Sequence, residues 1–467
     1  MSKYNQVTKE LVEQLKGVVG EKFVYTDADK LEPYSHDELT DSHYTKLPEA
    51  VVLPETAEEV AKIVKLASDN NVPIIARGGG TAFTSASVAL YGGIVLSVER
   101  MNKILEIDEE NMFMVVEPGA TTANVQKAAN EKGFLYAGDP CSGDSSFIGG
   151  NVATNAGGNK AVKYGTTRQQ VNGVEIVTAD GELVTLGGKC KKDSTGYSLV
   201  NLMIGSEGTL GVITKCYLKL VPLAKNVFDL LAVFPDLKTA IGIVPKVMAA
   251  GITPVCVEFM DNESIKCCEK FLNEKLPNSE DGHYIIISIE GDNEELLEEQ
   301  CVTIDELATE HGAMSVLVAD PVRIWKARKA YAEADRSRSL IFSMEDIVVP
   351  MNKIPETVEK IAEIGQKYNI AIHCAGHAGD GNIHANILKD QLSEEEWHDK
   401  LPKLQHEIYS AVYEVGGKLS GEHGIGYKRL KLLEEYGNPV ELKMMKAIKQ
   451  ALDPKNILNP GKVIAVD

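Results

Sequence analysis

The chain has 467 residues, enough for two or three domains with sizeable cores, and its 44% hydrophobic and 25% charged residues are ordinary for a soluble protein. A formal net charge of -20 opposes nucleic acid or an anionic membrane as a partner. The eight cysteines show no C-x-x-C spacing, so neither an iron-sulfur cluster nor a disulfide framework is indicated, and reduced thiols imply a cytoplasmic protein. Met1-Ser2-Lys3-Tyr4-Asn5 does not open an apolar leader, and the densest apolar run, Tyr284 to Ile289, is a strand's length, so no integral membrane contact is expected.

Residues 1–45 read as a short helix, Lys9 to Val18, followed by an acidic stretch around Tyr34-Ser35-His36-Asp37 to which no chemistry is assigned. Thr56 with Glu59 forms a capping-box pattern that opens an amphipathic helix through Val60, Ile63, Val64 and Ala67. A strand from Val72 to Ala76 then runs into Arg77-Gly78-Gly79-Gly80-Thr81. Three glycines after a strand let the backbone turn and present N–H groups to an anion such as a pyrophosphate. Neither G-x-G-x-x-G nor a Walker A lysine is present, and the triple glycine by itself reads more simply as a tight turn. Strands Ile94–Val98 and Phe113–Glu117 and a helix Thr122–Lys132 follow. The run Gly149-Gly150-Asn151-Val152-Ala153-Thr154-Asn155-Ala156-Gly157-Gly158 cannot build core; it allows backbone to approach a large planar ligand, and Tyr164-Gly165 and Arg168 close it. A hairpin at Ala179-Asp180-Gly181 and the segment Ile204 to Thr214 complete this half.

From about Asn226 to Lys418, strands at Val227–Phe234, Val255–Phe259, Tyr284–Ile289 and Met314–Val318 alternate with helices such as Asn293–His311. That order suits an antiparallel sheet covered by helices on one side. The acidic face Glu294-Glu295-Leu296-Leu297-Glu298-Glu299 reads as solvated surface.

The densest chemistry lies in His373-Cys374-Ala375-Gly376-His377-Ala378-Gly379-Asp380-Gly381-Asn382-Ile383-His384, with a further imidazole in Gly421-Glu422-His423-Gly424; these places hold four of the ten histidines. Two apolar runs around Gly-Asp-Gly-Asn predict a hairpin, with His384 and Asn386 on one face of the outgoing strand. Two imidazoles and a carboxylate, His377, His384 and Glu422, suit a divalent metal with open positions, which zinc, iron and manganese all accept. A loop whose histidines are satisfied by backbone carbonyls is an equally open reading, and a closed zinc site using Cys374 with His377 is a lesser one. Side chains of neighbouring residues in extended backbone diverge, which leaves His423 as a general base.

Arg77 to Thr81, Gly149 to Gly158, Tyr164-Gly165, Gly205-Ser206-Glu207-Gly208-Thr209-Leu210-Gly211-Val212-Ile213-Thr214, Gly376 to His384, Gly421 to Gly424 and Asn456-Ile457-Leu458-Asn459-Pro460-Gly461-Lys462 together resemble the signature set of the FAD-linked 2-hydroxyacid dehydrogenases. These are the D-lactate dehydrogenases, glycolate oxidase D subunits and D-2-hydroxyglutarate dehydrogenases of the vanillyl-alcohol oxidase superfamily, including the electron-transfer-flavoprotein-linked lactate dehydrogenases of anaerobes. The motifs stand in family order from about Ala50 to the end.

The resemblance implies an α+β protein with a two-lobed p-cresol methylhydroxylase-type FAD-binding domain (residues 46–225, after the N-terminal segment 1–45), an α+β cap with an antiparallel sheet (226–418), and a C-terminal segment (419–467) returning to the FAD. It implies cofactor binding by Arg77, Gly78, Gly79, Gly80, Thr81, Pro140, Gly149, Gly150, Thr154, Asn155, Gly157, Gly158, Tyr164, Gly165, Glu207, Gly211, Ile213 and Asn459. Where some relatives carry a linking histidine this chain reads Gly79-Gly80-Thr81-Ala82, so non-covalent FAD is expected. Trp325-Lys326-Ala327-Arg328 resembles the helix whose arginine grips the substrate carboxylate, for which a surface salt bridge is the plain alternative. The lysine that 2-hydroxyglutarate enzymes carry before the strand Glu345 to Pro350 is absent from Phe342-Ser343-Met344, which favours a small monocarboxylate such as lactate.

The expected reaction is oxidation of a D-2-hydroxy acid: metal on the hydroxyl, His423 taking its proton, hydride leaving to flavin N5, and Arg328 and Asn386 orienting the acid. Electrons would pass to an electron-transfer flavoprotein, as in several relatives, or to oxygen. Glycolate and D-2-hydroxyglutarate are the alternative substrates. A non-catalytic flavoprotein subunit is the rival from another class.

Overall fold

Thr56 caps the helix Ala57–Asp69, its hydroxyl accepting from the Glu59 N–H at 3.2 Å, while the Glu59 carboxylate accepts from the N–H of Glu55 at 2.7 Å. The return bond of the capping box thus reaches one residue further back than the pattern implied. Val60, Ile63, Val64 and Ala67, spaced along one face, are buried with Leu11, Leu15 and Val19 of the helix Lys9–Val19. The computed structural model describes residues 3–39, 41–318 and 321–466, apart from the side chains of residues 321, 323 and 324. It divides into a first unit (1–157, 166–223, 422–467) and a second (158–165, 224–421).

The first unit has two lobes. One is the sheet of β1 (Val24–Tyr25), β2 (Ala50–Val52), β3 (Ile74–Arg77) and β4 (Ile94–Ser97), ordered β1-β2-β4-β3 with β2, β4 and β3 parallel. The other comprises β5 (Ile104–Asp108) and β6 (Phe113–Val116), then, beyond the short β7 (Phe134–Leu135), β8 (Val171–Val177), β9 (Leu183–Gly187) and β10 (Val212–Lys219). Its order is β5-β6-β10-β8-β9, antiparallel throughout, while β7 pairs with β11 (Val221–Pro222). The C-terminal tail returns to the first lobe. Ile74 donates to Ile457 O, and the Asn459 N–H to Ile74 O, both at 2.8 Å, at the start of β3.

The second unit is built on β12 (Asn226–Phe234), β13 (Cys256–Met260), β14 (His283–Gly291), β15 (Ser315–Val318), β16 (Phe342–Val348), β17 (Ile372–His377) and β18 (Asn382–Leu388). The order is β15-β12-β14-β13-β17-β18-β16, every pair antiparallel. Helices cover both faces, not one. On one, Ile265 and Cys268 of the helix Asn262–Leu272 and Ala334 of the helix Tyr331–Arg338 pack on Leu231, Met260 and Ile286. On the other, Gln405 and Tyr409 of the helix Glu394–Glu414 reach Glu345. The reason is legible in β13 and most of β14, where consecutive residues are buried whichever way they point.

The glycines after β3 meet a physical demand. A Cβ on Gly79 would lie 2.4 Å from Ser145 O, and one on Gly78 would lie 3.4 Å from the Cα of Gly150, so backbone packs on backbone there. Gly79→Ala is therefore expected to lower unfolding free energy by about 1–3 kcal/mol, the usual cost of overpacking. Urea unfolding checks it, and wild-type stability would contradict the close approach.

Candidate functional site

In the second unit the predicted hairpin forms with His377 opposite Asn382 and His384 opposite Ala375. The incoming strand extends through His377, two residues beyond the apolar run, before the turn in which Gly381 has φ +90°. Because cross-strand partners share a face, His373, His377, His384 and Asn386 lie on one side, with Asp346 of β16 and Glu258 of β13. All are buried. The His377 and His384 rings are 5.3 Å apart and nearly perpendicular.

Glu258 joins this group to the helix Pro321–Lys329. One carboxylate oxygen is 2.6 Å from His377 Nδ1, and the other accepts from Arg328 Nε at 2.9 Å, with Nη2 at 2.8 Å. Burial alone would raise the Glu258 pKa, but His377 and Arg328 hold it below the usual carboxylate value. A carboxylate on Nδ1 fixes the imidazole tautomer and leaves Nε2 as the nitrogen with a lone pair. Arg328 is thus a buried partner of Glu258, and the surface salt bridge is not what forms. Trp325, a turn earlier, donates from Nε1 to Asp229 at 3.1 Å. Asp346 accepts from Asn382 Nδ2 at 2.8 Å and from Ser420 at 2.7 Å, and its carbonyl accepts from the Gly421 N–H at 3.1 Å, which pins residue 421 beside the hairpin. Gly158, Tyr164 and Gly165 also belong to this unit. The Tyr164 hydroxyl and Lys163 both bond Glu290.

The first unit carries the remaining residues. Among the described residues, the backbone N–H groups of Gly79, Gly80 and Thr81 donate to no protein acceptor, a set of donors suited to phosphate oxygens. A Cβ on Gly150 would enter open space, with nothing within 4 Å. Arg77 does not turn its side chain to a ligand. It donates to His36 O at 2.8 Å, Ser87 Oγ at 3.1 Å and Pro33 O at 3.2 Å. The stretch around His36, assigned no chemistry from sequence, therefore braces the glycine turn, and Asp37 assists by accepting from the Ser85 N–H at 2.6 Å.

Glu207 accepts from the Ile425 and Gly426 N–H groups at 2.7 and 2.8 Å, and Asn459 donates to Glu207 O at 2.7 Å and Ala86 O at 2.8 Å. The Glu207 side chain thus holds the loop after His423, and Asn459 ties the Glu207 backbone to Ala86. Burial pushes the Glu207 carboxyl up to about 7, opposed by those N–H bonds and by Arg429 and Lys462; burial likewise pushes Lys462 down to about 7. Asn155 sits in the left-handed region at φ 55°, its side chain accepting from Thr166 and the Arg168 N–H at 2.9 Å. Thr154 bonds back to Gly150 O at 3.3 Å, and Pro140 O receives the Gly143 N–H at 2.9 Å. A Cβ on Gly157 would strike Glu422, whereas Gly211 packs against Ile176, as Ile213 does within the lobe core.

Glu422 and His423 do not diverge. His423 Nε2 is 3.6 Å from Glu422 Oε1, because the backbone bends over residues 421–423, whereas divergence assumed an extended chain. His423 also lies against Phe83, rings 5.6 Å apart. Glu258 and Asp335, the carboxylates that organise the second unit's polar face, escaped the sequence reading. Glu258 was detectable as the one charge inside the apolar run Val255 to Met260; Asp335 gave no comparable signal.

Residues 48–187 match the model of the "FAD binding domain" and residues 224–463 that of "FAD linked oxidases, C-terminal domain". The chain is 37% identical to a D-lactate dehydrogenase of Anaerostipes hadrus, covering 98% of each, and 37% identical to glycolate oxidase subunit GlcD of Bacillus subtilis, covering 99% of this chain and 98% of that one. It is 34% identical to a D-2-hydroxyglutarate dehydrogenase of Stutzerimonas stutzeri, covering 97% and 99%. Among solved structures, substrate-bound p-cresol methylhydroxylase superposes with a TM-score of 0.82 at 19% identity, over 98% of this chain and 96% of that one. An alkyldihydroxyacetonephosphate synthase gives 0.77 at 20%, over 98% and 87%. The fold is of the p-cresol methylhydroxylase type, α+β, as the motif resemblance implied.

Glu258→Gln removes the charge that balances Arg328 and is expected to lower unfolding free energy by about 3–5 kcal/mol, as for other broken buried pairs. Denaturant titration measures it, and an unchanged midpoint and slope would show that the pairing carries no weight.

Proposed function

Given that the chain belongs to the FAD-linked oxidase family, we propose that it oxidises a D-2-hydroxy acid, D-lactate before glycolate or D-2-hydroxyglutarate, on non-covalent FAD with the help of a divalent metal. The observation that carries the reading is the buried His377–His384 pair with Glu258 on Nδ1 of the first ring. Imidazoles oriented in this way suit zinc, iron or manganese. Glu422 is proposed as the third ligand, since it follows the pinned Gly421 directly in the chain.

The glycine cradle fits FAD through its free N–H donors and the open side of Gly150, and FAD when bound supplies the two-electron acceptor. The absence of a linking imidazole at Thr81 supports non-covalent attachment. Arg328 and Asn386 orient the acid, the planar guanidinium matching a carboxylate. His423 takes the hydroxyl proton as general base. Phe342-Ser343-Met344 offers no second cation for a dicarboxylate, which supports the smaller acid. Among the described residues no helix is long and apolar enough to cross a membrane. A soluble flavoprotein that accepts electrons is the proposed partner, because the cysteine spacing supplies no cluster route out of the chain.

A substrate panel on purified protein with an artificial electron acceptor tests the reading: D-lactate is expected to give the highest kcat/KM, and no turnover of any 2-hydroxy acid would contradict it. Glu422→Gln should lower metal content and activity while FAD stays near stoichiometric; active protein free of divalent metal by elemental analysis would remove the metal from the mechanism. His423→Ala should slow flavin reduction by roughly 10²- to 10⁴-fold, the worth of a positioned base. An undiminished rate would move the base elsewhere.

A further inference from the structure

Asn386 lies on the polar face of the second unit, opposite His373, and its side chain is fully buried. It is used asymmetrically. Nδ2 donates to Asp335 Oδ2 at 2.7 Å, whereas Oδ1, enclosed by protein, has no hydrogen-bond partner among the described residues. The second oxygen of Asp335 is 2.5 Å from His373 Nδ1; His373 Nε2 is 3.0 Å from Arg338 Nη1, and Arg338 reaches Asp390 at 2.9 Å.

Cys267, Asp335 and His373 also stand close enough to share a cation. The hydrogen bonds argue for a different role. A guanidinium only donates, so His373 Nε2 accepts from Arg338 and the ring proton sits on Nδ1, directed at Asp335. Both Asp335 oxygens are then engaged as acceptors, and a cation bound through His373 Nδ1 and Asp335 would have to displace the ring proton between them.

The two ends of an amide are nearly isosteric, so shape alone does not decide which way Asn386 points. A carboxylate decides it. Asp335 can only accept, so it draws the NH₂ toward itself and turns the carbonyl away, leaving a buried acceptor open to a ligand's donor. A 2-hydroxy acid has such a donor in its hydroxyl; the 2-oxo product has only oxygen lone pairs at the same carbon.

We propose that Asp335 is a positioning residue that locks the Asn386 amide with its carbonyl toward the ligand, so that the site accepts a hydrogen bond from a 2-hydroxyl and disfavours the 2-oxo product. The inference rests on the reading that this face binds a 2-hydroxy acid. The hydroxyl turns freely about its C–O bond, so a group docked on Oδ1 still delivers its proton to the base. His373 and Arg338 act one and two steps behind, holding Asp335.

The test is the ratio of the inhibition constant for pyruvate to KM for D-lactate, measured with the FAD-loaded full chain. In Asp335→Asn the partner can donate as well as accept, the Asn386 amide is free to flip, and the ratio should fall roughly tenfold, the worth of about one hydrogen bond. Asn386→Ala removes the acceptor outright and should lower the same ratio, which covers the case in which Asp335→Asn does not fold. Circular dichroism, melting temperature and FAD content identify folded protein. A general structural defect would weaken both ligands together and leave the ratio unchanged. Wild-type turnover of D-lactate with an unchanged ratio in the folded variants overturns the inference alone; no turnover of any 2-hydroxy acid by wild type overturns both it and the functional reading.

Discussion

The second unit depends on one carboxylate. Glu258 has no exposure to solvent and holds His377 with one oxygen and Arg328 with the other. Burying a carboxylate, a guanidinium and an imidazole together is unfavourable unless each is satisfied, and replacing such a group by well-packed apolar residues is often neutral or stabilising. Its value here is positional. Glu258 connects the sheet to the helix Pro321–Lys329, so the ring at the end of β17 and the guanidinium on that helix share one fixed point. Asp335 repeats the device on the same face, taking Asn386 on one oxygen and His373 on the other.

The first unit solves another problem: bringing two lobes together around a ligand. Gly78 and Gly79 let the turn after β3 press on residues 145–150 with no side chain between. Arg77, buried at the end of β3, braces that turn by bonding three groups between residues 33 and 87, so its charge serves the cradle indirectly. Glu207 and Lys462 are both weakened as ions by burial; Glu207 holds the loop after His423 through the Ile425 and Gly426 N–H groups, and Lys462 donates to Val88 O and Asn459 Oδ1. Buried ionisable groups thus support the shape of both units.

Much of this could be read from local pattern. The hairpin from Ile372 to Leu388 followed from two apolar runs about a glycine-rich turn, and period-two geometry put His384 and Asn386 on one face as observed. The helix start at Thr56 followed from a side chain able to accept an orphan N–H group. What failed to be legible depended on distance along the chain or on backbone conformation. Glu258 lies 119 residues from His377, so no spacing rule joins them. The two-sided burial of β13 and β14 was written in their continuous apolar character, which an assumption of one covered face passed over. Glu422 and His423 were expected to part because the backbone was taken as extended, while it bends over residues 421–423. Motifs located Arg77, Glu207 and Asn459, but only coordinates show their side chains bonded to protein.

The central claim, metal-assisted oxidation of a D-2-hydroxy acid on FAD, is tested most directly by mixing the purified protein with D-lactate in the absence of oxygen and following the flavin's visible absorbance. Prompt bleaching is expected with D-lactate and not with L-lactate, lost after chelator treatment and restored by adding back zinc or manganese. Equal bleaching by metal-free protein, or none with any 2-hydroxy acid, would contradict it.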